Sequence, residues 1–453
     1  MSKIIENQVL NPELIKNVDK DLQPTDKRIM TPISYAASFM GGCVSIGTFS
    51  MGAGLIGALT VTQAVIAMSI GCLVIAIALV FIGNCGHKYG IPYTVQLRSS
   101  FGTTGVKIPG ILRGLPAIIW FGFQSWIGAG AINGCLKILF GFDHLPMVYV
   151  LFTLIQVALA IRGFESIKWL ENISSIFIIA ILIYMLYVVR TKFSTELSDS
   201  FSGIKGTWGL PFWAATTSFL GIYSTMIINA SDYSRNLETK VGPTFTGSIY
   251  TLSILPVTLF MGLIGLLVAT ATGNSDPVEV FATTMDSKFL TIVTLLFIAF
   301  AQVTTNVLNN IVPPAYVLME SFKVKWSHGT ILVGILSILS MPWKLVTAES
   351  AAGLNLFVQF YSAFLGPIFA VMVVDYYILR RKKLDINHMY DKNGPFKGVN
   401  WAAMIAILVG SACSLLLVSL SWYVSLLPTG IAYYLLMKYM PSSEKFRKGT
   451  IFE

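Results

Sequence analysis

The chain has 453 residues, 55% of them hydrophobic and only 12% charged, about half the charged share of an average soluble domain. A soluble fold of this size needs a more charged surface, so the composition excludes a soluble globular protein. The formal net charge of +9 would suit a nucleic-acid partner, but the placement of the charges excludes that reading.

Residues 1–31 are polar and mixed in charge, with Lys3, Glu6, Glu13, Lys16, Asp19, Lys20 and Asp21 ahead of any long apolar run. This is the pattern of a cytoplasmic tail and not of a secretory signal. Residues 29–86 contain no Asp, Glu, Lys or Arg, enough for two helices of about 20 residues, each crossing a ~30 Å hydrocarbon layer. Apolar runs between polar breaks predict an all-α integral membrane protein of about twelve transmembrane helices. The spans are 32–57, 60–85, 106–139, 146–162, 169–189, 210–231, 243–271, 289–319, 328–346, 350–379, 400–419 and 421–438. The five cysteines (Cys43, Cys72, Cys85, Cys135, Cys413) lie within or beside these runs with no CxxC pair and read as small apolar packers.

With the N-terminus inside, the cytoplasmic segments hold 25 of the 31 Lys and Arg residues, Arg113 among them, and the outer side keeps Lys137, Arg190, Lys192, Lys205, Lys288 and Lys344. The bias matches the positive-inside rule in every cytoplasmic segment, so the +9 reports topology in a cell membrane with both termini cytoplasmic. The longest polar connection, Arg380 to Lys397, sets ten spans apart from the last two. Ten spans divide into two sets of five, and the second must run inverted relative to the first. The expected organisation is a tail (1–31), a first repeat (32–190), a second repeat (210–380), two further spans (399–438) and a C-terminal tail (439–453).

Span 1 carries Gly41-Gly42 with Ser45 and Gly47 at mid-membrane, and span 6 carries Gly221, Tyr223, Ser224 and Thr225. Glycine with small hydroxyl residues in corresponding spans is what a broken helix needs, since unwound backbone must find partners; close packing through small residues is the competing reading. On span 3, Trp120 and Gln124 lie four apart and share a face. An indole beside an amide suits a flat polar ring, although taken alone the pair reads better as an interhelical glutamine contact and a packing tryptophan. Span 8 holds six polar side chains between Gln302 and Asn310, including Thr304, Thr305, Asn306 and Asn309, more than packing in an apolar span accounts for. Two hydroxyls with carbonyls of an unwound span 1 could coordinate Na⁺ without a formal charge. Asp232 and Asp375 fall near span ends, where pairing with Arg is the expected role and not proton relay. His87, His144, His328 and His388 sit at span ends or in loops, and no HExxH, P-loop or GxSxG pattern occurs, so no catalysis and no cofactor is expected.

The stretches Ile119 to Trp126, Asn229 to Arg235, Thr304 to Asn306 with Asn310 and Pro314 to Tyr316, and Asp375 to Arg381 resemble the nucleobase–cation symporter family 1, in its hydantoin transporter and allantoin permease branch. The resemblance runs from about Pro32 to Trp401. It implies a leucine-transporter-like five-plus-five inverted repeat with two extra C-terminal helices. It further implies cation-coupled symport of a purine, pyrimidine, allantoin or hydantoin by alternating access, with Na⁺ as the coupling ion. Carried over residue by residue, the solute site would comprise Trp120, Gln124 and Asn310, with Ser45, Gly221, Tyr223 and Asn306 around them. The Na⁺ site would comprise Gly41, Val44, Ala301, Thr304 and Thr305, and Phe360 of span 10 would be the gate. Two positions depart from the family: Tyr223 stands where it has tryptophan and Ser45 where it has glutamine. The expected partners are the heterocycle, Na⁺ or, as the rival, H⁺, and the lipid bilayer; a monomer is compatible with this. The glycine-broken spans and the polar cluster of span 8 argue against a passive channel.

Overall fold

The computed structural model describes residues 4–5, 8–43, 45–162, scattered positions between 180 and 195, 204–274, 278–280, 287–345 and 350–453. Apart from a hairpin of two-residue strands, Ile4–Ile5 and Gln8–Val9, the described regular structure is helical. Span 2 (Val61–Tyr89) shows how local chemistry sets the ends. The Thr60 hydroxyl accepts from Gln63 N–H while Gln63 Oε1 accepts from Thr60 N–H, both at 3.2 Å, and Gly90 closes the helix at φ +68°.

Seven helices among the described residues are long and apolar enough to cross a membrane: Val61–Tyr89, Lys107–Phe140, Leu145–Arg162, Pro243–Thr272, Lys288–Phe322, Gly353–Leu379 and Val418–Tyr439. They correspond to spans 2, 3, 4, 7, 8, 10 and 12. Spans 6, 9 and 11 supply the shorter apolar helices Leu210–Ile222, Trp326–Leu339 and Trp401–Leu416. The fifth predicted span, 169–189, falls largely outside the described residues.

Span 1 is broken, as its glycines suggest. Helix Pro32–Cys43 stops, Ser45 is extended (φ −125°, ψ 135°), and helix Ile46–Ala53 restarts with the Ser45 hydroxyl accepting from Gly47 N–H at 3.1 Å. Span 6 is broken twice, after Ile222 at Tyr223 and after Ile228 at Asn229, with helices Ser224–Ile228 and Ala230–Ser234 completing it. Span 8 stays continuous but widens into a π-helical turn at Val307–Ile311. Pro313 and Pro314 have no N–H to donate, and Val312 N–H bonds back to Val307 carbonyl across one extra residue.

Spans 1, 2, 6 and 7 pack on one another, spans 3, 4, 8 and 9 form a second group, and span 10 lies against spans 6, 11 and 12. The broken parts of spans 1 and 6 face spans 3 and 8 across the seam between the two groups. This is the leucine-transporter-like arrangement with two added helices.

The N-terminal segment straps one end of the molecule. Thr25 N–H bonds Gly90 carbonyl (2.9 Å), Met30 bridges Leu237, Arg235 Nη1 donates to Asp21 carbonyl (2.8 Å), and Tyr390 Oη donates to Leu22 carbonyl (2.8 Å). At the same end Arg98 donates to both oxygens of Glu320 at 2.9 Å. Arg380 Nε donates to Asp375 at 2.8 Å, the arginine pairing expected for that carboxylate. All five cysteines are free, four of them buried.

Candidate functional site

At the breaks of spans 1 and 6 lies a small cavity of ≈ 30 Å³, walled by Gly42, Ser45, Thr48, Trp120, Gln124, Ile222, Tyr223, Thr225, Met226, Thr305, Asn309 and Asn310. That is far below the roughly 300 Å³ or more of a small-molecule pocket, so a ring-sized solute enters only as the walls part. Trp120, Gln124, Asn310, Ser45 and Tyr223, all expected in a solute site, are among the walls.

Each is held by something specific. Gly47 lets the indole of Trp120 lie against the second half of span 1, since a Cβ there would stand 2.9 Å from Trp120 Cζ3. Trp120 Nε1 donates to Tyr361 Oη at 3.1 Å. Ser45 Oγ accepts from Gln124 Nε2 at 3.2 Å as well as from Gly47 N–H, which leaves its own proton for a third partner. Asn310 Nδ2 donates to Gln124 Oε1 at 3.4 Å and to Asn306 Oδ1 at 2.9 Å. Asn306 is fully buried behind Asn310 and donates to Gln156 Oε1 (3.0 Å) and Ser125 Oγ (3.2 Å). The amides therefore form one line, from cavity wall to the core between spans 3, 4 and 8. Tyr223 presents its ring, because its hydroxyl is engaged by Thr48 Oγ1 (3.1 Å) and Thr258 Oγ1 (2.9 Å).

Several expected residues lie elsewhere. Gly221 is not at the cavity: a Cβ on it would stand 2.5 Å from Val358 Cγ1 and 2.7 Å from Ser362 Oγ, so it is where span 10 meets span 6. Phe360 is half exposed and its ring lies on Phe364. The span 10 rings beside Trp120 are instead Phe357, with centroids 6.1 Å apart, and Tyr361. Asn306 supports the wall without lining it. Arg113, counted with the charges at the membrane edge, is fully buried; its Nη2 donates to Asn229 Oδ1 (2.8 Å) and Asn309 carbonyl (3.2 Å). Asp232 is near two arginines without touching either: it accepts from Tyr93 N–H (2.9 Å) and Asn229 Nδ2 (3.4 Å), with the charges of Arg235 and Arg113 acting on it from a distance.

Of the residues expected to bind a cation, Thr305 lines the cavity, and its buried hydroxyl has no hydrogen-bond partner. Thr304 Oγ1 donates to Ala301 carbonyl at 3.1 Å, and both residues are buried on the same helix. Gly41 is buried, with its neighbour Gly42 reaching the wall; Val44 lies outside the described residues. No cluster of three or more His, Cys, Asp or Glu is found among the described residues.

A second cavity of ≈ 380 Å³, lined by Asp21, Asn229, Asp232, Tyr233, Leu308 and Tyr316 among others, opens at the end carrying the N-terminal strap. Asn309 separates the two cavities: Tyr233 Oη donates to its Oδ1 at 2.6 Å while Arg113 holds its carbonyl. Sequence reasoning missed Thr48, Asn309, Gln156, Arg113 and Tyr361 as parts of the site. A buried arginine and glutamine in otherwise apolar spans were the available signals for two of them.

A family model described as permease for cytosine/purines, uracil, thiamine and allantoin matches residues 23–440. The chain is 28% identical to the hydantoin permease of Microbacterium maritypicum, over 86% of this chain and 82% of that protein. It is 28% identical to the allantoin permease of Bacillus subtilis, over 93% and 94%. The fold is similar to that of Mhp1, a nucleobase-cation-symport-1 family transporter, in a closed conformation with bromovinylhydantoin bound. There the TM-score is 0.85 at 26% identity, covering 95% of this chain and 99% of the other.

Proposed function

This chain belongs to the permease family for cytosine and purines, uracil, thiamine and allantoin, and from that premise we propose that it is a Na⁺-coupled symporter of a nucleobase-like or ureide heterocycle. The observation that carries the reading is the composition of the central cavity. An indole and a phenol ring stand beside the Gln124–Asn310 amide pair, at the breaks of spans 1 and 6. Aromatic faces attract a flat ring, and amides exchange paired hydrogen bonds with a ring that carries N–H and C=O side by side. Relatives named for hydantoin and allantoin support that class. Solute binding would replace the long 3.4 Å Asn310–Gln124 contact with shorter ones.

Coupling to Na⁺ is supported by the orphaned Thr305 hydroxyl, with Thr304 Oγ1 and Ala301 carbonyl on the same helix. An unpaired buried hydroxyl is costly until an acceptor or a cation engages it, and neutral oxygens suit a hard monovalent ion. Gly41 and Val44 would contribute carbonyls from the broken span 1. The ion would thus join span 8 of one group to span 1 of the other, and the cavity toward the strap would be the exit once Asn309 lets go of Tyr233. We place the strap, the basic loops and both termini on the cytoplasmic side of the cell membrane, by charge placement.

A thermal-shift screen of the purified chain against uracil, cytosine, hypoxanthine, allantoin and hydantoin, with and without Na⁺, tests this. Ligands of the native state raise its apparent stability by mass action. At least one heterocycle should raise Tm, and raise it further in Na⁺; no shift from any of them in either condition contradicts the proposal.

A further inference from the structure

Tyr361 makes two hydrogen bonds that no solute-binding role requires. Its hydroxyl accepts from Trp120 Nε1 at 3.1 Å and donates to Gly221 carbonyl at 3.0 Å, which joins spans 3, 10 and 6 through one oxygen. Tyr361 is 4% exposed and is not part of the cavity wall. Around it the fit is close: Phe357 lies 4.9 Å from the Tyr361 ring and 6.1 Å from Trp120, and Val358 and Ser362 fill the space above Gly221.

A tryptophan offers a solute two things, a π-face and one N–H donor. Here the donor is taken by Tyr361, so only the face is offered to the cavity. Gly221 carbonyl has a second donor in Ser224 Oγ at 2.7 Å, so removing the Tyr361 hydroxyl strands one group, the indole N–H. A buried N–H without a partner is unfavourable, and the indole is then free to turn toward the cavity or toward water.

We propose that Tyr361 is a positioning residue: it fixes the stacking face of Trp120 and does so only while span 10 is seated on span 6 at Gly221. Opening of span 10 breaks both bonds together, so the ring that clamps the solute is ordered in the closed state and released in the open one. The inference rests on the reading of the central cavity as the solute site.

The test is Tyr361→Phe in the full chain in proteoliposomes, since phenylalanine keeps the ring packing and removes only the hydroxyl. Three readouts are taken. Ultraviolet resonance Raman reports indole N–H hydrogen bonding; because the chain has nine tryptophans, the Trp120 contribution is isolated by difference from Trp120→Phe. Labelling of Met226→Cys by a membrane-impermeant maleimide, added to either face, reports opening of the cavity. Its background carries Cys413→Ser, which removes the one native cysteine that is not buried. Uptake of radiolabelled uracil, hypoxanthine, allantoin and hydantoin gives KM and maximal rate.

Tyr361→Phe should lose the hydrogen-bonded indole signal, label about tenfold faster, and raise KM about tenfold with maximal rate held within about twofold. The double variant Trp120→Phe/Tyr361→Phe should label no faster than Tyr361→Phe alone, because both act through one bond. An unchanged indole signal, or wild-type labelling despite its loss, overturns the proposal. If no solute of the panel is taken up by the wild-type chain, it is the solute reading that fails, and the Raman and labelling results still decide the role of Tyr361.

Discussion

Ser45, Gln124, Asn310, Asn306 and Gln156 form one hydrogen-bonded line from the cavity wall into the core, so solute affinity and stability share residues there. Asn306→Ala leaves the donors and acceptors of Asn310, Gln156 and Ser125 short of a partner in a fully buried place. It should destabilise the chain by about 1–3 kcal/mol and lower Tm without solute present; an unchanged Tm means that water or repacking replaces the amide. Trp120→Ala removes the stacking face and should weaken solute binding about tenfold or more, read by the concentration dependence of the thermal shift. Thr305→Ala removes the orphaned hydroxyl and should flatten the Na⁺ dependence of that shift while leaving the apo chain as stable as before or more so. The polar cluster with Thr305 and Asn310 stood out in the sequence because polar side chains at membrane depth contrast with an apolar background, while the grouping of Trp120, Gln124 and Asn310 came from the family resemblance; all four line the cavity. Tyr361 was not legible there, since nothing local relates it to Trp120, 241 positions away.

The elements that matter most are the irregular ones. Glycine and small hydroxyl residues in spans 1 and 6 allowed either a break or close packing, and the structure has a break in each. The π-helical turn of span 8 was not foreseen, although Pro313-Pro314 is its local cause: it shifts Asn309 and Asn310 by one residue relative to a regular helix, and both then reach the cavity. Replacing both prolines by alanine should let the turn revert to α-helix and rotate the two asparagines off the wall by ~100°. Helix content by circular dichroism should hold while the solute-induced thermal shift disappears; a retained shift contradicts a role for the turn. Phe360 illustrates a general limit. In a soluble helix the polar face identifies the buried one, but lipid is as apolar as the core, so a run such as Phe357-Val358-Gln359-Phe360-Tyr361 does not declare which ring faces inward. The structure turns Phe357 and Tyr361 toward Trp120 and Phe360 toward Phe364.

At the scale of the whole molecule, two groups of four spans meet along a seam that holds the central cavity, and Asn309, gripped by Tyr233 and Arg113, stands between it and the cavity beneath the N-terminal strap. Hydropathy made the membrane fold readable, because spanning length is a property of each apolar run along the whole chain. The internal partition was not readable, since it depends on how distant spans dock. Arg113→Gln keeps a donor toward Asn229 but removes the buried charge; it should weaken the partition and raise maleimide labelling of Met226→Cys in the central cavity, in the Cys413→Ser background, with little change in solute affinity. Labelling at the parental rate would show that the partition does not depend on the charge. The central claim is coupling, and concentrative uptake tests it most directly. Sealed proteoliposomes loaded without Na⁺ are given a radiolabelled heterocycle that scored in the thermal-shift screen, together with an inward Na⁺ gradient at constant pH. The account predicts that internal solute rises transiently above the external concentration and falls back as the gradient collapses. Internal solute that never exceeds the external level, or that does so only under a proton gradient, would contradict it.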